Sequence, residues 1–417
     1  MFALLSVSAR WAGAQTPAAQ PAPAQTAPAQ PVPVPIAGWQ DGFFIQSADG
    51  DNRLVIGMMA QIDGRFALND PLPITNTFTI RKLRPTFTGR VGRYFDFKFM
   101  PDFGNGQTAL ADAYFDIRFS RAFRVRTGKD KVPFGHELLH GDAYVLFPER
   151  SLASGLVPNR DIGIQAQGEL WGGRMLYSGG VFNGVPDGAS SAGDVDANSD
   201  KDYAGRVTVQ PFRATGAGAA GPLNGLGLHL GATRGTENGA LPSFKTSTTQ
   251  TYFSYATGAI ASGTRVRVTP AAFYYYKQLG AFGEYVRSAQ SVTRGLVTRD
   301  VANHAWEVTG SFVVTGEAAS ERGVRPRYTF DPSLGHWGAL QLLARYATLV
   351  VDDDAFTAGL AGTGASAGAH SWAIGANWYP NQWLKWYATF EHTTFDEGNV
   401  PDRSAEDAII ARFQLAF

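Results

Sequence analysis

The chain contains no cysteine in 417 residues, which excludes a disulfide framework and fits a protein carried unfolded through an oxidising compartment. No run approaches 18 apolar residues, which excludes a membrane-spanning helix but not a β-barrel, whose strands escape that test. There is no excess of either charge, 36 basic residues standing against 36 acidic ones. No P-loop, G-x-S-x-G or dinucleotide fingerprint is present, so no cofactor is expected, and no nucleic-acid partner either.

What the chain does have is alternation. In its last stretch, Glu406 to Phe417, apolar Ile409, Ala411, Phe413, Leu415 and Phe417 alternate with Arg412, Gln414 and Ala416. Successive strand side chains point to opposite faces, so one face is apolar and the other polar. Leu54, Ile56, Met58, Ala60 and Ile62 alternate in the same way with Val55, Gly57, Met59, Gln61 and Asp63. So do Phe95, Phe97 and Phe99 with Asp96, Lys98 and Met100, and Trp372, Ile374 and Trp378 with Ser371, Ala373, Gly375 and Asn377. Repeated period-two segments predict an all-β, antiparallel transmembrane barrel with lipid outside and water inside, and hence a bacterial outer-membrane location. The 48 Gly, 28 Phe, 15 Tyr and 9 Trp supply hairpin turns and interfacial aromatics.

At the amino end, Phe2 to Ala9 is a short apolar run followed by Ala12-Gly13-Ala14, a small-residue cleavage pattern, but the first Arg, Arg10, lies after that run. The expectation is a truncated signal peptide over 1–14, with the true start upstream. Gln15 to Pro35 forms a Pro/Ala/Gln tract that cannot pack a core, so 15–37 is expected to be an extended linker. A plain spacer explains it; a tether to the cell wall is the alternative. Residues 38–417 then form one barrel domain, long enough for roughly 14 to 18 strands. A barrel of about sixteen keeps its lumen open to water.

The balanced net charge conceals an asymmetry. Between Arg81 and Lys131 there are twelve basic residues against five acidic ones, an excess of seven. The basic set includes Arg81, Lys82, Arg84, Lys98, Arg118, Arg126, Lys129 and Lys131. Lys82, Arg84 and Arg90 share parity with Thr86 and Thr88, opposite Leu83, Phe87 and Val91. A charge facing lipid at mid-bilayer costs about 2 to 4 kcal/mol, so these side chains should face the lumen. Arg and Lys lining a narrow aqueous pore select anions. Arg322 and Arg325, in the ERGVRPR run, are expected instead in an exposed loop, where water and salt screen them.

The segments FTIRKLRPTFTG from Phe78, DAYFD from Asp112, KVPFGHE from Lys131, FPERS from Phe147, VFNG from Val181, Leu343 to Tyr346, GANWYPN from Gly375 and the terminal ARFQLAF follow one another in a known order. The chain thereby resembles the phosphate-selective porin O and P family of bacterial outer membranes. The resemblance implies a sixteen-stranded barrel, usually a homotrimer, with a long loop folded into the lumen and basic residues guiding phosphate or polyphosphate. Arg81 and Lys82 match the family's paired basic residues, Lys129 a basic position after a glycine, and Asp112 the acidic residue of the DAY segment. Two positions depart from the pattern. Met59 stands where many relatives carry an arginine, and Leu138 and Leu139 precede His140 where phosphate-specific members carry a lysine.

His136-Glu137-Leu138-Leu139-His140 fits H-E-x-x-H, in which two His one helical turn apart bind zinc and the Glu activates water. Pro133, Gly135 and Gly141 bracket it too closely for an independent helix. A lumen-lining pair sensitive to pH is the expectation, with a metalloprotease or an incidental metal site as alternatives. Asp194, Asp196, Asn198 and Asp200 have calcium-loop spacing, but Ser199 takes the glycine position and Gly205 that of the bidentate Glu, so a solvated loop is expected. Asp352, Asp353 and Asp354 read as a solvated turn. Two alternatives of another class are an outer-membrane hydrolase, whose clustered Ser/His/Asp site would not show in spacing, and a wall-anchored structural barrel, which needs no basic lumen. The expected function is therefore passive diffusion of small anions, with a general anion porin lacking phosphate specificity as the alternative.

Overall fold

The computed structural model describes residues 36–69, 76–191, 198–215, 221–400 and 402–417. The expected signal peptide, the Pro-rich tract up to Pro35, and Asp194 and Asp196 of the acidic loop lie outside the described residues. A hairpin of β1 (Ala37–Trp39) and β2 (Phe43–Gln46) comes first. An antiparallel meander follows: β3 (Arg53–Asn69), β4 (Thr77–Val91), β5 (Phe95–Asp102), β6 (Ala109–Arg118), β7 (Arg124–Lys131), β8 (Arg160–Leu170), β9 (Met175–Phe182), β10 (Asp202–Val209) and β11 (Leu226–Gly239). A small separate hairpin joins β12 (Ser243–Lys245) to β13 (Thr251–Ser254). The meander then resumes with β14 (Ala259–Tyr276), β15 (Leu279–Arg294), β16 (Val297–Val313), β17 (Ala339–Val350), β18 (Gly368–Tyr379), β19 (Leu384–Asp396) and β20 (Glu406–Ala416).

The last strand returns to the first long one. β20 pairs with β3 from Ala416 opposite Met59 to Asp407 opposite Asn69. β3 to β11 and β14 to β20 therefore close into a 16-stranded barrel. Closure satisfies every backbone amide that an open edge would leave bare in lipid. β2 covers the stretch of β3 that β20 does not reach, Phe43 pairing with Ile56 and Gln46 with Arg53.

Side chains sort by parity as the alternation requires. Leu228, Leu230, Val308, Ile374 and Ile409 are exposed on the outer wall, while their neighbours His229, Glu307 and Ile410 are buried inside. Outward Trp306, Tyr346, Trp372 and Trp386 add aromatics to that apolar surface. One irregularity matters for the lumen. Gln61 pairs with Lys82 but Ile62 with Ile80, so Arg81 is an extra residue in β4. Such a bulge interrupts strict alternation and lets Arg81 and Lys82 both turn inward.

The connections differ at the two ends. The end carrying Phe417 has mostly tight turns, such as those between β4 and β5 and between β14 and β15. In outer-membrane barrels that end faces the periplasm. Two of its connections are longer, and the one spanning 314–338 bends back into the barrel. At the opposite end the β7–β8 loop, 132–159, crosses the lumen. Its Phe134, Leu138 and Leu156 pack with Phe244 and Phe253 of the small hairpin and with Val286, Val301 and Leu349 of the wall. The main hydrophobic cluster thus lies inside the barrel, beneath the loops. Each fully buried side chain of this size contributes about 1.5–3 kcal/mol.

Candidate functional site

The β7–β8 loop crosses because the wall supplies donors for its backbone. Lys385 donates to the Val145 carbonyl at 2.8 Å, Asn377 to Leu146 at 2.9 Å, Gln414 to Ala143 at 2.9 Å and Arg345 to Glu149 at 2.9 Å. Arg412 donates to the Pro148 carbonyl as well. On the other wall the Glu284 carboxylate accepts the amides of His136 and Glu137 at 2.8 and 2.9 Å. A buried carbonyl without a partner is costly, so these side chains hold the loop in place.

The loop also brings acid into the basic lumen. Asp142 receives Lys82 at 3.2 Å, Arg150 at 2.6 Å and, more closely, Arg84. Glu149 receives Arg81 at 2.7 Å and also pairs with Arg65 and Arg412. Burial alone would raise the Asp142 carboxyl, but Lys82, Lys131, Arg150 and Arg160 outweigh it and hold the group well below its ordinary value. Glu149 is likewise pulled down against burial by Arg81, Arg412 and Arg65.

An open cavity of about 1160 Å³ remains beside the loop, faced by nine Arg and Lys side chains and four Asp. Arg84, Lys98, Arg126, Lys131 and Asp112 of the sequence-derived set face it. Most are already partnered. Lys98 meets Asp112 at 2.6 Å, Arg160 meets Asp112 at 2.7 Å, and Arg126 meets Asp116 at 2.7 Å while lying 3.7 Å over the Tyr114 ring. Lys131 donates to the carbonyls of Leu138 and His140 at 2.6 and 2.7 Å. Arg81 and Lys82 lie beneath the loop on Glu149 and Asp142 rather than on the cavity.

Three placements differ from expectation. Lys129 does not face this cavity: Gly128, at φ +120°, turns the strand, and the Lys129 amine reaches the Ser191 carbonyl at 2.7 Å. Arg118 sits at the turn end of β6, donating to the Arg93 carbonyl at 2.9 Å and lying 3.6 Å from Asp96. Arg322 and Arg325 are exposed, but to the cavity, because the 314–338 connection folds inward and Val324 packs against Ala319, Val313, Ala339 and Tyr379. Neither forms an ion pair among the described residues, nor does Arg206 of β10, which faces the same space. Arg206 was legible by parity, standing in register with inward Ala204 and Thr208; Arg160 and Lys385 fall under the same rule. The inward path of Arg322 and Arg325 has no such signal.

The H-E-x-x-H segment forms a single helical turn, α1 (His136–Leu139), capped by His140. The Glu284 carboxylate at its amino end, rather than helix length, holds it. His136 stacks on Phe273 with ring centroids 4.8 Å apart, and His140 lies edge-on to His136 at 4.7 Å. Burial, with Arg150 and Lys131 adding to it, pushes the His140 imidazole down to about 3, and burial likewise holds His136 well below its usual value. Glu137 accepts the Ser151 amide and hydroxyl at 3.0 and 3.1 Å and is committed to the loop rather than to activating water. Leu138 is buried in the apolar cluster, whereas Leu139 and Met59 border the cavity.

A closed barrel with an apolar outer belt, an inward loop and a charged cavity defines an outer-membrane channel of the porin class. The chain belongs to the phosphate-selective porin O and P family, whose profile matches residues 57–417. Its place is the bacterial outer membrane. The fold is similar to the outer membrane channel DcaP of Acinetobacter baumannii, at 10% identity and TM-score 0.56, covering 89% of this chain and 99% of that one. It is also similar to an anion-selective porin from Comamonas acidovorans, at 13% identity and TM-score 0.53, covering 88% and 100%. OmpT from the outer membrane of Vibrio cholerae gives 11% identity and TM-score 0.53, covering 88% and 98%. A comparison with curated protein sequences finds no significant match.

Proposed function

We propose that the protein passes small inorganic anions, of the phosphate and polyphosphate class, by passive diffusion. The observation that carries this reading is the charge facing the cavity: nine basic side chains against four acidic ones, with Arg206, Arg322, Arg325 and Lys385 free of ion pairs among the described residues. Lys385 is turned onto the Val145 carbonyl, so the three arginines supply the attractive field for a passing anion. The sequence-derived lining set of Arg81, Lys82, Arg84, Lys98, Arg118, Arg126, Lys129, Lys131, Asp112 and His140 then divides by role. Arg84, Lys98, Arg126, Lys131 and Asp112 border the path; Arg81 and Lys82 fasten the loop, on which His140 itself sits; Lys129 and Arg118 act away from it.

A general anion porin is the second reading. It is favoured by Met59 on the cavity and by Leu138 buried away from it, which leave two family basic positions without charge. Block of chloride current by millimolar phosphate separates the two: block supports phosphate preference, and unchanged current supports the general porin. Assembly as a homotrimer is proposed from family membership, and crosslinking in mild detergent tests it. A product no larger than a monomer would contradict it.

A further inference from the structure

His136 and His140 on the inward loop meet Glu321, carried by the connection that bends in from the other end of the barrel. Their ligand atoms lie within 4.8 Å of one another. Both imidazole Nε2 atoms are buried without a hydrogen-bond partner, and His136 is only 5% exposed. A buried polar atom without a partner costs about 1–3 kcal/mol, so its retention asks for a ligand. Two imidazoles and a carboxylate are the donor set that zinc takes with one position left for water. The site is reachable, since Leu139 and Gly141, flanking His140, and Ser320 and Arg322, flanking Glu321, border the open cavity.

We propose that His136, His140 and Glu321 bind one transition-metal dication of the zinc class, and that the ion ties the inward loop to the inward turn and narrows the path between them. A tetrahedral zinc holds its donors about 3.3 Å apart. The three donors already lie within 4.8 Å of one another, so an ion held by all three bridges loop and turn. The surroundings oppose the ion only in part. Arg150 and Lys131, near His140, are held on Asp142 at 2.6 and 3.7 Å, a carboxylate they share with Lys82 and Arg84. Arg322, beside Glu321, and Arg206, facing both His136 and Glu321, form no ion pair among the described residues. Removing Arg206 should tighten binding. The binding rests on the donor geometry; its effect on current rests on the channel reading above.

The test is calorimetric titration of the full-length, detergent-purified protein with zinc chloride, followed by bilayer current with zinc and then EDTA. Each variant is first checked for heat-modifiable migration, which shows that its barrel is folded. One zinc per chain is expected, bound at least tenfold more weakly in His140→Asn and Glu321→Gln, more tightly in Arg206→Gln, and equally in His304→Asn, whose side chain faces outward. Current should fall with zinc and recover with EDTA. Absence of binding, or affinity indifferent to Glu321→Gln or His140→Asn, overturns the site. Binding as expected with unchanged current overturns the narrowing alone and leaves the channel reading intact.

Discussion

Replacing Arg322 and Arg325 together by Glu should remove most of the anion preference. The nine basic and four acidic side chains facing the cavity would become seven and six. For an ion passing about 7 Å from each guanidinium, one unit of charge is worth roughly 0.6 kcal/mol at the dielectric of water. Physiological salt, with a screening length of about 8 Å, reduces that to about 0.3 kcal/mol. The double reversal changes four units of charge, raising the anion barrier by roughly 1.2 kcal/mol and lowering the cation barrier equally. The anion-to-cation permeability ratio should then fall roughly fiftyfold. The assay is the zero-current potential across a planar bilayer under a potassium chloride gradient, with Lys129→Gln as the comparison. Lys129 reaches Ser191 away from the cavity and should leave the ratio unchanged. A double variant with the wild-type ratio would refute the placement of these two side chains on the ion path.

Glu149→Gln should loosen the inward loop, because Arg65, Arg81 and Arg412 lose a shared counter-charge at a cost of about 3 kcal/mol; faster tryptic cleavage at Arg150 is the readout, and unchanged cleavage speaks against the clamp. Since the Glu149 carboxyl is held below its usual value of 4.5, its contribution is present in full above that pH and lost only as pH falls through the depressed value. Cleavage of the wild type at this loop should therefore be equal at pH 8 and pH 6, and a marked rise at pH 6 would contradict the assignment. Phe253→Ala, at a side chain with 0% exposure inside the barrel, should cost about 3–5 kcal/mol of loop packing and increase current noise while the barrel still migrates as heat-modifiable. Gly128→Ala should lower folding yield, because a Cβ there meets the Ala113 carbonyl at 2.3 Å on a backbone at φ +120°; normal yield would show that the strand accommodates it.

The barrel was legible because lipid imposes its rule on every second residue. Ile409, Arg412 and Gln414 announce their faces from their spacing, and Arg412 is indeed buried in the lumen on Asp63, at 2.6 Å. Of the basic segment between Arg81 and Lys131, Arg84, Lys98, Arg126 and Lys131 face the cavity. What the segment does there was not legible, because its counter-charges arrive from the loop: Asp142 and Glu149 lie far along the chain from Arg81, Lys82 and Arg84. Spatial pairing turns apparent channel lining into fastening. The free charge lies elsewhere, on Arg206, which parity marks, and on Arg322 and Arg325, whose inward path depends on how Val324 packs under Tyr379. No local pattern in ERGVRPR encodes that turn.

The zero-current potential of the unmodified protein in a potassium chloride gradient tests the central claim most directly. A field from unpaired Arg206, Arg322 and Arg325 predicts a potential of the sign set by chloride, shrinking toward zero as salt rises and screens the cavity. A potential of the sign set by potassium would contradict the account.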